Sequence, residues 1–127
     1  MMRHMNIQRR VKPPSELRPV RWSIDDYFAM AAHINATFER TELLDGIIYE
    51  MPTDGPLTRK WNSVLTKWIL GRIPDDIVLV NHQTLPLGEY WAPSPDHYLF
   101  PESVGDANVR GRHVLLVIEV SDTSLAY

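Results

Sequence analysis

The chain has 127 residues, enough for one domain with a modest hydrophobic core, and a formal net charge of −3. It contains no cysteine, which excludes a disulfide framework and a thiolate metal site, and no apolar run near the roughly 18 residues of a membrane-spanning helix. These features predict a cytoplasmic protein.

The charge is divided unevenly along the chain. Residues 1–21 carry six basic side chains and one acid, whereas the remainder carries seven basic and fifteen acidic side chains. We predict that residues 1–21 form a disordered basic leader, because the prolines of VKPPSELRP prevent a helix. The alternative is an arm that holds phosphate groups. The folded domain is then expected over residues 22–127.

The first predicted element is an amphipathic helix over about 24–34. Ser23 suits the N-cap, and Asp26 three residues later resembles a capping box. The apolar residues that recur at helical spacing are Ile24, Tyr27, Phe28, Ala31 and Ile34.

A β-hairpin is predicted in ERTELLDGIIYEM, because Asp45-Gly46 between apolar runs favours a type I′ turn. The turn predicts the pairs Leu44–Ile47, Leu43–Ile48 and Glu42–Tyr49. Side-chain alternation then places Glu42 on an otherwise apolar face, an unusual position for a carboxylate.

A second helix is predicted over about 57–70, ended by Gly71. Its apolar stripe comprises Trp61, Val64, Leu65, Trp68 and Ile69. Because these residues follow the helical period, we expect the tryptophans to lie in the core rather than to stack on bases. Lys60 and Lys67 lie off the stripe and are expected to be solvated.

Three strands are predicted after the second helix, in DIVLVNHQTLPL, SPDHYLF and HVLLVIEV. The last is apolar on both faces and is expected to be fully buried. The segment PESVGDANVRGR between the last two strands is predicted to be a flexible loop. The order of elements predicts an α/β fold, a mixed β-sheet with flanking helices.

Two of these strands carry carboxylates that packing alone does not explain. Asp96 follows Ser-Pro at the start of one strand, and Glu119 lies near the end of the next. Asp96 can instead shape a turn, and Glu119 can lie at a solvated strand tip. If both are buried, the cost of several kcal/mol for an unpaired carboxylate requires a partner or a metal ion. His82 and His97 show no metal-ligand spacing of their own.

The segments ERTELLDGIIYEM, PSPD and LLVIEVSDTSLAY together resemble the Uma2 family, within the PD-(D/E)XK restriction-endonuclease-like superfamily, from about residue 22 to residue 127. The resemblance implies a restriction-endonuclease-like fold and metal-dependent hydrolysis of DNA, with Mg²⁺ or Mn²⁺ as cofactor. It places the catalytic, metal-binding acids at Asp96 and Glu119. The carbonyl of Val120 becomes a third metal ligand, and Glu42 becomes the acid that such proteins hold in the hairpin.

The chain departs from the family pattern in two places. The family's catalytic lysine falls beyond Tyr127, and similar proteins often carry histidine at the position of Thr58. We therefore expect an incomplete domain with its C-terminal part missing, weak metal binding and no nuclease turnover.

Two alternatives remain open at this point. One is a non-catalytic remnant or binding module with a nuclease-like fold, and the other is an α/β interaction domain whose acids are structural. In each case we expect self-association or a partner to cover exposed sheet surface.

Overall fold

The computed structural model describes residues 14–37 and 40–121. Most of the predicted leader lies outside these residues, so its disorder stays a prediction. The helices are α1 (Ile24–Thr37) and α2 (Pro56–Leu70), and the strands are β1 (Thr41–Leu44), β2 (Ile47–Glu50), β3 (Ile77–Asn81), β4 (His97–Pro101) and β5 (Leu116–Ile118). Neither helix is long and apolar enough to cross a membrane.

Local sequence signals explain the first three elements. The hydroxyl of Ser23 accepts a hydrogen bond from the Asp26 N–H at 3.2 Å, as expected of an N-cap, although α1 runs three residues further than predicted. The hairpin register is confirmed pair by pair. Asp45 and Gly46 have φ of 51° and 76°, as a type I′ turn requires. A side chain at Gly46 would also place its Cβ 2.6 Å from that of Arg21.

The strands of the described residues pair in two antiparallel sheets. One is the β1–β2 hairpin, and the other has the order β3-β4-β5. An isolated bridge joins the hairpin to the segment before β4, because Leu43 and Ala92 exchange two backbone hydrogen bonds of 3.2 and 2.8 Å. The predicted α/β class with flanking helices is confirmed, and the described pairings are antiparallel.

Two small cores stabilise this arrangement. Tyr27 of α1 packs against Leu43 and Ala92, and its hydroxyl lies 3.0 Å from the carbonyl of Thr41. The second core lies on one face of the larger sheet and comprises Leu85, Tyr98, Phe100 and Val109. The hairpin and the larger sheet are thus held together next to the start of β4.

The prediction that the α2 tryptophans lie in the core is wrong. Trp61 and Trp68 are 50% and 54% exposed, while Thr58, Asn62 and Ile69 are the residues that α2 buries. The reason is a polar contact, because Asn62 hydrogen-bonds the buried His97 and so turns that side of the helix toward the sheet.

Two further expectations need correction. The strand in HVLLVIEV is not fully buried, because β5 lies at the edge of its sheet and pairs in the described part of the chain with β4 alone. Leu115, Leu116 and Val117 are 45–60% exposed. The segment predicted as a flexible loop contains three single-turn 3₁₀ helices, Glu102–Val104, Asp106–Asn108 and Gly111–His113, and its Val109 is buried in the core.

Candidate metal centre

Three polar residues, His82, Asp96 and Glu119, lie side by side in a row at one end of the larger sheet, and the strand register explains why. Asn81 pairs with His97, and His97 pairs with Ile118. One residue beyond, the same antiparallel register sets His82 opposite Asp96 and Asp96 opposite Glu119. Directly opposed residues have Cβ atoms about 4.5–5.5 Å apart, so the register itself brings these side chains together.

Asp96 and Glu119 lie opposite each other within this row, one residue beyond the His97–Ile118 pair. Asp96 is 3% exposed, and its Oδ2 accepts the N–H of Val120, the residue after Glu119, at 2.7 Å. Glu119 is exposed at the end of its strand, but partial desolvation, and next the adjacent Asp96, raise its pKa to about 7. Two carboxyl groups this close favour one shared proton or a bound cation.

Glu42 reaches the same place from the hairpin. Its Oε1 accepts the N–H of Ser94 at 3.0 Å, and its side chain is nearly buried. Arg40 donates from Nη2 to the carbonyl of Ser94, also at 3.0 Å. Glu42 and Arg40 thus fix the backbone of Ser94, two residues before Asp96. This contact helps to orient the Asp96 carboxylate. Glu42 also lies close enough to contribute to the raised pKa of Glu119.

Asp54 and His82 complete the charged cluster. The Nδ1 atom of His82 lies 3.4 Å from Oδ1 of Asp96, and its Nε2 lies 3.9 Å from Oδ2 of Asp54. Ligand atoms of Asp54, His82 and Asp96 lie within 4.8 Å of one another. Carboxylate and imidazole groups are a donor set that divalent cations accept, so the residues present fit a metal ion.

His97 faces the other side of the sheet from Asp96, as alternation predicts. It is 1% exposed, and its Nδ1 and Nε2 each lie 2.8 Å from an amide oxygen, of Asn81 and Asn62 respectively. Burial lowers the pKa of His97 despite the neighbouring Asp96 carboxylate. A neutral ring has one N–H, so one of the two amides must turn its NH₂ group toward the ring. His97 is therefore a structural residue under the site.

A cavity of about 410 Å³ lies next to Asp96 and Glu119. Its lining includes Asp96, Glu119 and Val120 from the sheet, and Asp54, Gly55 and Thr58 from the start of α2. The positive N-terminal end of α2 thus faces the carboxylates, and it favours an anion in this cavity. Val120, whose carbonyl the resemblance makes a ligand, lines the cavity beside Glu119.

Sequence reasoning missed Arg40, Asp54 and His82. Asp54 precedes Gly-Pro and suggests a turn, while His82 lacks a motif spacing. The strand register could have identified His82. His82 is the first residue after β3 and Asp96 is the last residue before β4, so the antiparallel pairing sets them opposite each other. His82 also has φ of 52°, an uncommon backbone conformation for a residue with a side chain.

The two helices and two antiparallel sheets of the described residues form an α/β fold that is consistent with a restriction-endonuclease-like fold. A family model described as "Uma2: Putative restriction endonuclease" matches residues 24–127. The chain belongs to this Uma2 family. Comparisons with curated proteins and with solved structures gave no significant match.

Proposed function

We propose that this chain carries a divalent-cation site of the PD-(D/E)XK type for hydrolysis of phosphodiester bonds in DNA. The observation that carries the proposal is that Asp96 and Glu119 lie opposite each other at adjoining strand ends and line the same cavity. Membership of a family described as "putative restriction endonuclease" supports DNA as the substrate.

In this proposal Asp96 would hold the cation together with Glu119, and the carbonyl of Val120 would be a third oxygen ligand. Asp96 also belongs to the group with Asp54 and His82, which would lie beside the bound ion. Bound Mg²⁺ or Mn²⁺ would polarise a phosphodiester and promote in-line attack by water. Glu42 fixes the backbone of Ser94 and thereby the direction of the Asp96 carboxylate. The N-terminus of α2 favours a phosphate group in the cavity.

A second candidate is a module that binds metal and DNA without turnover. Among residues 14–37 and 40–121 no lysine lines the cavity, and Arg40 is the cationic side chain nearest to the carboxylates. Loss of one charge partner of the transition state commonly costs about a hundredfold in rate. This observation favours weak or absent cleavage by the residues that the structure describes.

We also propose that the chain self-associates or binds a partner through its exposed apolar surface, and that it acts in the cytoplasm. Support for the first statement comes from the outer side of α2 and from β5, where large apolar side chains are about half exposed. Contiguous apolar surface of this kind usually marks an interface.

The metal site is tested by calorimetric titration with Mn²⁺. We expect weak binding by the wild type and at least about a tenfold loss in Asp96→Asn, since removing even an outer-shell partner costs tenfold or more. Glu102→Gln is the matched control, because Glu102 is an exposed acid outside the cavity. Equal Mn²⁺ binding by wild type and Asp96→Asn would contradict the assignment.

A plasmid assay with Mn²⁺ on the wild type and Glu119→Gln separates the two candidates. Cleavage by the wild type that disappears in Glu119→Gln supports the nuclease. An intact plasmid, together with Mn²⁺ binding that Asp96→Asn abolishes, supports the binding module.

A further inference from the structure

Arg40 lies at the centre of the acidic cluster, directly before β1. Its guanidinium nitrogens are 3.9 Å from Glu42 and 3.8 Å from both Asp54 and Asp96. The side chain is three-quarters buried, so these charges are screened less than a surface pair would be. One cation thus faces three carboxylates from three different segments of the fold.

The distances show that the attraction is Coulombic rather than hydrogen-bonded. Separations of 3.8–3.9 Å exceed the range of an N–H···O hydrogen bond. The guanidinium has five donors and gives one to the carbonyl of Ser94, while its buried Nε has no partner among the described residues. Arg40 therefore lies near the carboxylates while some of its N–H donors, including that of Nε, make no hydrogen bond with the described residues.

A divalent cation on Asp96 would compete with Arg40 for the same charge. Asp96 Oδ1, the atom nearest to Arg40, is also the atom nearest to His82. Once a cation neutralises the cluster, the guanidinium loses its attraction to the carboxylates. Its forked donors suit a phosphate group, which they bind in a bidentate manner.

We propose that Arg40 is the resident counter-ion of the metal-free site and becomes a phosphate-binding residue when a cation takes its place. The proposal rests on the proposed metal site. In the metal-free site, Arg40 balances the charge of the carboxylates, which a lysine or a cation from solvent would otherwise do. When a metal ion binds, the released guanidinium binds a phosphate group of the DNA backbone.

The counter-ion role is tested without metal. In EDTA, Arg40→Gln leaves the carboxylates unbalanced, so we expect its melting temperature to fall by roughly 3 °C or more. Arg40→Lys keeps the charge and should recover most of that loss. Arg18→Gln is the control, because Arg18 is an exposed arginine that does not line the cavity. An Arg40→Gln melting temperature equal to or above that of the wild type would overturn the proposal, whether or not the protein binds metal.

Competition and phosphate binding are then measured on the same variants. Calorimetric titration should show Mn²⁺ binding about threefold to tenfold tighter in Arg40→Gln than in wild type, because a like charge has been removed. In Ca²⁺, a fluorescent short DNA duplex should bind Arg40→Gln several-fold more weakly, and Arg40→Lys should not fully recover it.

The outcomes separate this proposal from the one on which it rests. If the wild type binds no Mn²⁺, the metal site is wrong, and the EDTA comparison alone decides the counter-ion role. If the wild type binds Mn²⁺ but Arg40→Gln binds it no more tightly, or binds DNA as well as the wild type does, the proposal for Arg40 is wrong and the metal site stands.

Discussion

The carboxyl group of Glu119 shows how partial burial and one neighbouring carboxyl group change the pKa of a residue. Asp96 lies opposite it across the strand ends, and burial together with that carboxyl raises the pKa of Glu119 to about 7. In the unfolded chain the same group has its ordinary pKa of about 4.3. The folded protein therefore binds a proton at Glu119 that the unfolded chain has already lost.

This difference predicts a pH dependence for metal-free protein. A raised carboxyl pKa stabilises the fold below the unfolded pKa, and the contribution is lost as the pH rises through about 7. Glu119→Gln imitates the protonated group, so in EDTA it should match the wild type near pH 4 and exceed it increasingly between pH 4.5 and pH 7. Because Glu119 lies at an exposed strand end, solvent screening keeps the effect modest. Thermal unfolding of both proteins across this range is the measurement, and a difference independent of pH would contradict it.

Helix α2 exposes part of its apolar stripe and buries polar residues, which is the reverse of the usual arrangement in an amphipathic helix. It exposes Trp61 and Trp68, whereas its Asn62 is 8% exposed and contacts the buried ring of His97 at 2.8 Å. An amide is favoured there because a neutral imidazole needs both a donor and an acceptor in a place that water does not reach.

The inversion predicts unequal effects of neighbouring substitutions. Asn62→Ala should lower the free energy of unfolding by about 1–3 kcal/mol, because it leaves a buried ring nitrogen of His97 without a partner. Trp61→Gln should cost less, since half of that side chain is already in solvent. Urea unfolding of the two variants decides the matter. A larger loss for Trp61→Gln would show that the stripe packs as the helical period suggests.

At the scale of the whole molecule, two elements each present several exposed apolar side chains. On α2 they include Leu57, Trp61, Val64 and Trp68, and on the β5 side they include Leu115, Leu116 and Val117. Scattered exposed apolar residues are ordinary, but a stripe along one helix face is a contiguous patch.

We therefore expect the protein to self-associate as its concentration rises. Size-exclusion chromatography with light scattering should show the molar mass of an oligomer, and Trp61→Gln combined with Trp68→Gln should shift it toward the monomer. Trp91→Gln is the control, because Trp91 is 44% exposed on a different segment. A wild type that stays monomeric at all concentrations would rule out self-association and leave a different partner as the occupant of this surface.

The sequence by itself determined the features that depend on neighbouring residues. Asp45-Gly46 defined the hairpin register and Ser23 defined the start of α1, because turns and caps are local. The strand sequences also pointed to Asp96 and Glu119 as candidate site residues, and that assignment stays a prediction. Arg40, Asp54 and His82 joined the site through strand pairing and the approach of the hairpin, which no local pattern encodes. The buried side of α2 was likewise decided by a contact between Asn62 and His97, 35 positions apart. Helical periodicity predicts which apolar side chains share one face of a helix. Only the tertiary structure determines whether that face packs against another element.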